Sequence, residues 1–324
     1  MTPLPPPRRA GILGVGSALP PRVVTNDELA ARMDTSDEWI TSRTGIRARR
    51  MVEPGVCTSD LAADAARAAL ADSGLGAAEL DLVIVATCTP DFPGSFPSTA
   101  AVVQHRLGAV RAGAFDLGAV CAGFSYALHV AAQMVQSGAN RCVLVVGAET
   151  LTRVLNWDDR NTAVLFGDGA GAVVVGEVAE GGYLGGLLGA DGSGSELLCV
   201  SRGGDHPGTI FQNGKEVYKF AVSIMGEAAA QAVAQAGLTL ADVDLLIPHQ
   251  ANVRIIDKAA ERMGLARDKV VVNLDRYGNT SAATIPIALD EAVRAGRIHK
   301  NDLLVLVGFG GGLTWGANVL RWSK

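Results

Sequence analysis

The sequence predicts an α/β protein with a layered core and two halves built to one plan. Three observations predict it. Residues 81–87, 141–148, 242–247 and 302–308 are short, nearly continuous apolar runs, as in strands covered on both faces. Segments with helical apolar spacing alternate with them, which calls for helices packed on sheets. The order strand, helix, strand, then a polar residue at a helix start occurs twice. Residues 116–128 in the first half answer residues 273–289 in the second.

Composition narrows the class. The chain has 324 residues, 48% of them hydrophobic and 19% charged, which suits a packed globular protein. The expected division is a flexible tail at 1–9, a first half at 10–178 and a second half at 179–324. Net charge is -5, so no nucleic-acid partner is expected. No apolar run is long enough to span a membrane, and residues 1–9 hold no apolar signal core. Cys57, Cys88, Cys121, Cys142 and Cys199 are odd in number, widely spaced and free of CxxC pairs. They point to a reduced, cytoplasmic protein without a disulfide framework or a metal site.

Residues 10–16 read as the first strand, ended by Pro20 and Pro21. A helix over 26–33 follows, with Asn26 as its N-cap. Arg43, Arg47, Arg49 and Arg50 make the next loop basic, beside Trp39. It is either a solvated loop or the mouth of an anionic-ligand site. Residues 59–73 form a helix capped by Ser59, with Leu61, Ala65, Ala68 and Ala69 on one face. Prolines and Gly94 make 88–97 a loop. Residues 98–107 are a helix and 112–116 a short strand.

Phe124, Leu128, Ala131 and Val135 then recur at helical spacing in a stretch with no solvent face. A buried helix is therefore expected from Cys121 to a stop at Gly138. Its N-terminal N–H groups and dipole favour a thiolate on Cys121. His129 within it reads as structural, and Cys142 as a small core hydrophobe. Gly167-Asp-Gly-Ala-Gly171 lacks both GxGxxG and the P-loop lysine, so it reads as a tight sheet turn.

Glycine-rich 181–194 marks the crossing between halves, and polar 199–213 shows no pattern. Helices are expected over 214–237, 253–263 and 284–293. Strands are expected over 242–247, 269–274, 302–308 and 313–320, with turns at 275–281 and 309–312.

Cys121, His249 and Asn279 stand at strand–helix junctions, where open α/β sheets place their sites. A thiolate attacks thioesters and can hold an acyl group. A histidine moves a proton or donates to an oxyanion, and an asparagine donates without charge. Each has a plainer reading alone. A buried cysteine is usually inert, a histidine can be a core residue, and Asn279 can merely cap the next helix.

Seven motifs, in order, span nearly the whole chain. They are Asp34-Thr-Ser-Asp-Glu-Trp-Ile40, Arg43-Thr-Gly-Ile-Arg47, Cys121-Ala-Gly-Phe124, Phe166-Gly-Asp-Gly-Ala-Gly171, Pro248-His-Gln-Ala-Asn252, Leu274-Asp-Arg-Tyr-Gly-Asn-Thr-Ser281 and Phe309-Gly-Gly-Gly-Leu-Thr-Trp-Gly316. On these the chain resembles the beta-ketoacyl-acyl-carrier-protein synthase III family, the initiating condensing enzymes of type II fatty acid synthesis. The resemblance implies a thiolase-like fold of two pseudo-symmetric halves in a layered α-β-α-β-α arrangement.

It implies that Cys121 accepts the primer acyl group from coenzyme A. His249 and Asn279 would support malonyl decarboxylation and hold the enolate, which attacks the acyl-Cys121 thioester. The N–H groups of Cys121 and Gly311 would form the oxyanion hole. Trp39, Arg43, Arg160 and Asn252 would contact coenzyme A, which is a thioester substrate and not a tightly bound cofactor. Arg254, with Lys219 and Arg262, would meet the acidic acyl carrier protein. Phe96 and the 88–97 loop match a segment used at a homodimer interface and the acyl-pocket floor. That loop is slightly longer here than the commonest form, which leaves the primer open. A related starter-unit condensing enzyme or acyltransferase of secondary metabolism is the alternative.

Overall fold

The computed structural model describes residues 8–94, 96–203 and 205–324. The first seven residues of the expected tail and Ser95 of the 88–97 loop lie outside them. Arg8 and Arg9 are not loose: Arg8 N donates to Gln136 O (3.1 Å) and Val178 N to Arg9 O (2.9 Å).

The first half runs β1 (Ala10–Ala18), β2 (Arg22–Thr25), α1 (Asn26–Ala30), α2 (Asp37–Thr44), β3 (Ala48–Met51), α3 (Thr58–Ser73), β4 (Leu82–Ala86), α4 (Thr99–Leu107), β5 (Gly113–Leu117), α5 (Gly123–Gln136), β6 (Cys142–Thr150), α6 (Arg160–Ala163) and β7 (Asp168–Glu177). The second runs β8 (Gly182–Ala190), β9 (Leu198–Val200), β10 (Ile210–Gln212), α7 (Gly214–Gln235), β11 (Leu245–Pro248), α8 (Val253–Met263), α9 (Leu274–Tyr277), α10 (Thr284–Arg294), β12 (Leu303–Gly310) and β13 (Thr314–Arg321).

Two mixed sheets result, ordered β1-β7-β6-β4-β5 and β11-β12-β13-β8. In the first, β4 is parallel to both β5 and β6, and β7 runs antiparallel to β6 and β1. The apolar clusters give the layers. Phe124 and Leu128 of α5 and Ile285 and Leu289 of α10 pack between Ile84 and Val145 of one sheet and Ile247 and Leu306 of the other. Leu61 and Ala65 of α3 and Val103 of α4 cover the outer face of the first sheet. Met225 of α7 and Ile256 of α8 cover that of the second. The stack is α-β-α-β-α, so both sheets are covered on two faces, and β4, β6 and β12 are buried throughout.

Several expectations change. The N-cap of α1 is Thr25, in a capping box with Glu28, while Asn26 is buried and bonds Asp37 and Ile46 O. Cys57, not Ser59, precedes α3, and the Asp60 carboxylate accepts from Cys57 N. The glycines of 167–171 are mostly strand, not turn, because α10 crosses β7 at backbone distance: a Cβ on Gly171 would lie 2.7 Å from Ile287 N. Residues 182–190 form strand β8 against β13, so the glycine-rich crossing shrinks to a short link. Residues 199–213 supply a hairpin, β9 with β10. The strand expected over 269–274 is one bridge, Val270 to Leu246.

Candidate active site

Cys121 sits in a single 3-10 turn, Val120–Ala122, that leads into α5. Val120 has φ +47°, rare for a β-branched residue. β12 passes so close that a Cβ on Gly310 would lie 2.7 Å from Cys121 N. Gly311, one residue on, lies against Leu198 O. The helix end does not ionise the resting thiol. Burial, helped by the nearby Glu149 carboxylate and opposed by the Ser281 hydroxyl, leaves it pushed up to about 12. The expected resting thiolate is thus a thiol, because desolvation outweighs the dipole.

His249 follows β11 and is 1% exposed. Its Nδ1 lies 2.7 Å from Thr284 Oγ1, and its ring meets Phe309 edge to face at 5.4 Å. Burial lowers its pKa to about 3, so the imidazole is neutral. Asn279 is fixed through its backbone: Asn279 N donates to Leu165 O (2.8 Å) and Gly167 N to Asn279 O (3.0 Å). Its Oδ1 accepts from Ser281 N at 2.8 Å, which turns the amide Nδ2 into the site's uncharged donor.

The structure brings these three residues together. Cys121, His249 and Asn279 line one cleft with Phe166, Phe309 and Asn252, with about 520 Å³ of free space. Cys121 also lines a second, small cavity, walled by Leu151, Phe166, Leu198 and Ile210 with Cys88 and Ser281.

At the outer end, Trp39 is flanked by two guanidinium groups, Arg43 Cζ at 4.6 Å and Arg160 Cζ at 5.0 Å from the ring centroid. Asn252 Nδ2 donates to Arg43 O at 3.0 Å, tying this mouth to the start of α8. Arg49 and Arg50 of the basic run turn away. Arg49 is fully buried and donates to Val24 O, Asn26 Oδ1 and Val164 O. Arg50 donates to Pro20 O and Pro21 O.

Arg254 lies 5.9 Å from the Tyr218 ring and has no acidic partner among the described residues. Lys219 pairs with Glu216 and Arg262 with Glu227, both at 2.8 Å, so neither is a free cation. Phe96 is 85% exposed and does not reach the cavities of its own chain. Sequence reasoning missed Ser281, Thr284, Glu149 and Phe309. Ser281 and Thr284 stood in plain view beside Asn279, but only the fold turns them toward the other two residues. No cluster of metal-binding side chains and no helix long and apolar enough to cross a membrane occurs among the described residues.

Five layers, with a cysteine and an asparagine ahead of the two inner helices and a histidine at the end of β11, define a thiolase-like condensing enzyme. The matching family models are "3-Oxoacyl-[acyl-carrier-protein (ACP)] synthase III" over residues 115–192 and its C-terminal part over 233–322. A beta-ketoacyl-[acyl-carrier-protein] synthase III of Caldanaerobacter subterraneus is 54% identical, with 97% of this chain and 98% of the relative covered. The crystal structure of the Aquifex aeolicus synthase III aligns with a TM-score of 0.93 at 47% identity, over 97% of this chain and all of that one. A priming beta-ketosynthase of a polyketide pathway aligns with a TM-score of 0.93 at 40% identity, over 99% and 98%. The chain belongs to the beta-ketoacyl-acyl-carrier-protein synthase III family. It is an enzyme of decarboxylative condensation that initiates fatty acid synthesis.

Proposed function

We propose that the enzyme loads a short-chain acyl group from coenzyme A onto Cys121 and condenses it there with malonyl-acyl-carrier protein. The observation that carries this reading is the position of Cys121 in the wall shared by two unlike cavities. The apolar cavity suits the acyl chain. The other cleft, which holds His249, Asn279 and Asn252 among apolar walls, suits the malonyl thioester, whose enolate oxygen would meet His249 and Asn279. With the Thr284 hydroxyl turned to Nδ1, His249 Nε2–H and Asn279 Nδ2–H are two neutral donors aimed at that oxygen. Loss of carbon dioxide drives carbon–carbon bond formation, and Cys121 leaves as the thiolate. The N–H groups of Cys121 and Gly311 would hold the acyl carbonyl.

Trp39, Arg43 and Arg160 would take the adenine and phosphates of coenzyme A, with Asn252 further in along the pantetheine arm. Arg254 would meet the carrier protein. A homodimer would use β5, which pairs only with β4 on one edge, and would bring the exposed Phe96 to the partner's acyl cavity.

Mass spectrometry of the protein after exposure to a panel of acyl-coenzyme A compounds tests the reading. One acyl group should appear on Cys121 in the wild type and none in Cys121→Ala. An adduct that persists in that variant sinks the nucleophile. The same panel separates a housekeeping primer from an unusual starter, the alternative that likeness to the priming ketosynthase keeps open.

A further inference from the structure

The cavity on the acyl side of Cys121 hides a polar cluster that the condensation chemistry leaves without a task. Glu149 is fully buried on β6. Its carboxylate accepts from Thr87 Oγ1 (3.1 Å), Cys88 N (3.1 Å), Thr89 N (3.1 Å), Thr89 Oγ1 and Cys88 Sγ (3.2 Å). It has no cation partner among the described residues. Ser281 stands between this carboxylate and the nucleophile. Its hydroxyl lies 3.8 Å from Cys88 Sγ, itself bonded to Glu149, and lines the same cavity as Cys121; it lowers the pKa of both Cys121 and Glu149. Ser281 also holds φ +49°, a left-handed backbone unusual for serine.

Acylation must remove a proton from the buried Cys121 thiol. Simple ionisation would set a second negative charge beside Glu149, in a site that already penalises one. His249 is a weak base here, because burial penalises the imidazolium that proton uptake would form. Moving the proton to Glu149 keeps the number of buried charges at one. The titratable groups that face Glu149 are Cys88, on the loop after β4, and Cys121. Asp168 on neighbouring β7 is turned to Thr152 and Val52 N.

We propose that Ser281 and Glu149 form a proton relay for Cys121. As Sγ attacks the acyl carbon, the Ser281 hydroxyl takes the thiol proton and passes its own to Glu149. The new Cys121–acyl bond forms, the bond from the acyl carbon to coenzyme A breaks, and the coenzyme A thiolate takes a proton from water. Glu149 stays protonated while Cys121 carries the acyl group. When the enolate carbon displaces Sγ, the leaving thiolate recovers its proton through Ser281. One proton is drawn from water per cycle, which balances the malonyl carboxylate lost as carbon dioxide.

The proposal rests on Cys121 as nucleophile, and its test separates the two. The acylation rate of Cys121 by an acyl-coenzyme A is followed by quenched mass spectrometry from pH 5.5 to 9.5 in the wild type, Glu149→Gln and Ser281→Ala. Malonyl-carrier-protein decarboxylation and melting temperature are measured alongside. Both variants should lose about 100-fold in acylation near pH 6.5 and regain much of it as pH rises. Decarboxylation should fall far less, and Glu149→Asp should recover part of the rate. A Ser281→Ala profile that superimposes on the wild type overturns the relay, and this variant decides alone if Glu149→Gln does not fold. Equal losses of acylation and decarboxylation at every pH also overturn it, in favour of a structural role. No acyl-Cys121 in the wild type at any pH overturns the nucleophile and the relay together.

Discussion

His249 Nδ1 lies 2.7 Å from Thr284 Oγ1, although the two residues come from different strand–helix junctions of the second half. Thr284 opens α10, five positions after Asn279, and its hydroxyl also reaches Ser281 O at 3.0 Å. One hydroxyl proton thus chooses between the ring and the carbonyl. Turned to Nδ1, it leaves Nε2–H facing the cleft; turned to Ser281 O, it makes Nε2 an acceptor.

Thr284→Val keeps the shape and removes the choice. Malonyl decarboxylation should fall by about 10- to 100-fold, as when a partner of a functional histidine is lost. Acyl transfer to Cys121 should change much less. Thr284→Ser should restore most of the activity. Stopped-flow or radiolabel assays of the two half-reactions read the split, and an unchanged decarboxylation rate in the valine variant would count against it.

How much of this was legible in the sequence follows from what each signal depends on. The strands at β4, β6 and β12 and the helices α5 and α8 were readable, because full burial demands continuous or periodic apolar residues. The glycines of β7 and β8 were misread. Glycine signals a turn locally, yet here it admits a crossing helix or a neighbouring side chain: a Cβ on Gly189 would lie 2.3 Å from the Trp315 ring. Cys121, His249 and Asn279 stood at strand–helix junctions, but position alone left plainer readings open, and it was the motifs around them that singled them out. Glu149 was not, since a carboxylate inside the strand Cys142–Thr150 has no local mark, and its role depends on Ser281 from the other half.

His249 also sets a pH dependence. Its folded pKa lies near 3 against 6.5 when exposed, so between these values the unfolded chain binds a proton that the folded chain refuses. Stability is therefore lost as pH falls from 6.5 towards 3. By linkage the loss between pH 7 and pH 4.5 is about 3 kcal/mol. Urea unfolding at those two pH values should show a smaller difference for His249→Gln than for the wild type. Equal differences would show that burial does not hold the ring neutral.

Trp39 should act on coenzyme A alone. The guanidinium groups of Arg43 and Arg160 lie 4.6 and 5.0 Å from its ring centroid, and an adenine would compete for the same ring. Trp39→Ala should raise KM for acyl-coenzyme A by about tenfold, the scale of one lost aromatic stack. KM for the malonyl carrier protein and kcat should shift little. Steady-state kinetics with each substrate varied in turn will show it, and a matching rise in both KM values would remove the assignment.

Arg254 and its neighbours separate by their partners. Lys219 and Arg262 pair with Glu216 and Glu227, so each carries a neutralising carboxylate that reduces its pull on an acidic visitor, whereas Arg254 carries none among the described residues. Arg254→Glu should weaken use of the carrier protein by about tenfold or more at low salt, with the defect shrinking as salt screens it. Lys219→Ala and Arg262→Ala should be mild. Carrier-protein titrations at two ionic strengths distinguish them, and equal loss in all three variants would contradict this ranking.

Gly147 tests how the middle layer seats the site. It lies in β6, two residues before Glu149, and a Cβ there would stand 2.2 Å from Ala282 O. No rotamer relieves that contact, because both partners are backbone. Gly147→Ala must push the 3-10 turn Ser281–Ala283 away from the sheet, at a cost of about 2–3 kcal/mol. The same displacement moves Ser281 from Glu149 and Cys121 and disturbs Asn279 just before it. Activity should then fall at temperatures where the variant is still folded. Urea unfolding gives the stability loss, and both half-reactions at a temperature well below its melting point give the functional one. A variant with full activity and wild-type stability would mean that the turn is not seated on β6 at this residue.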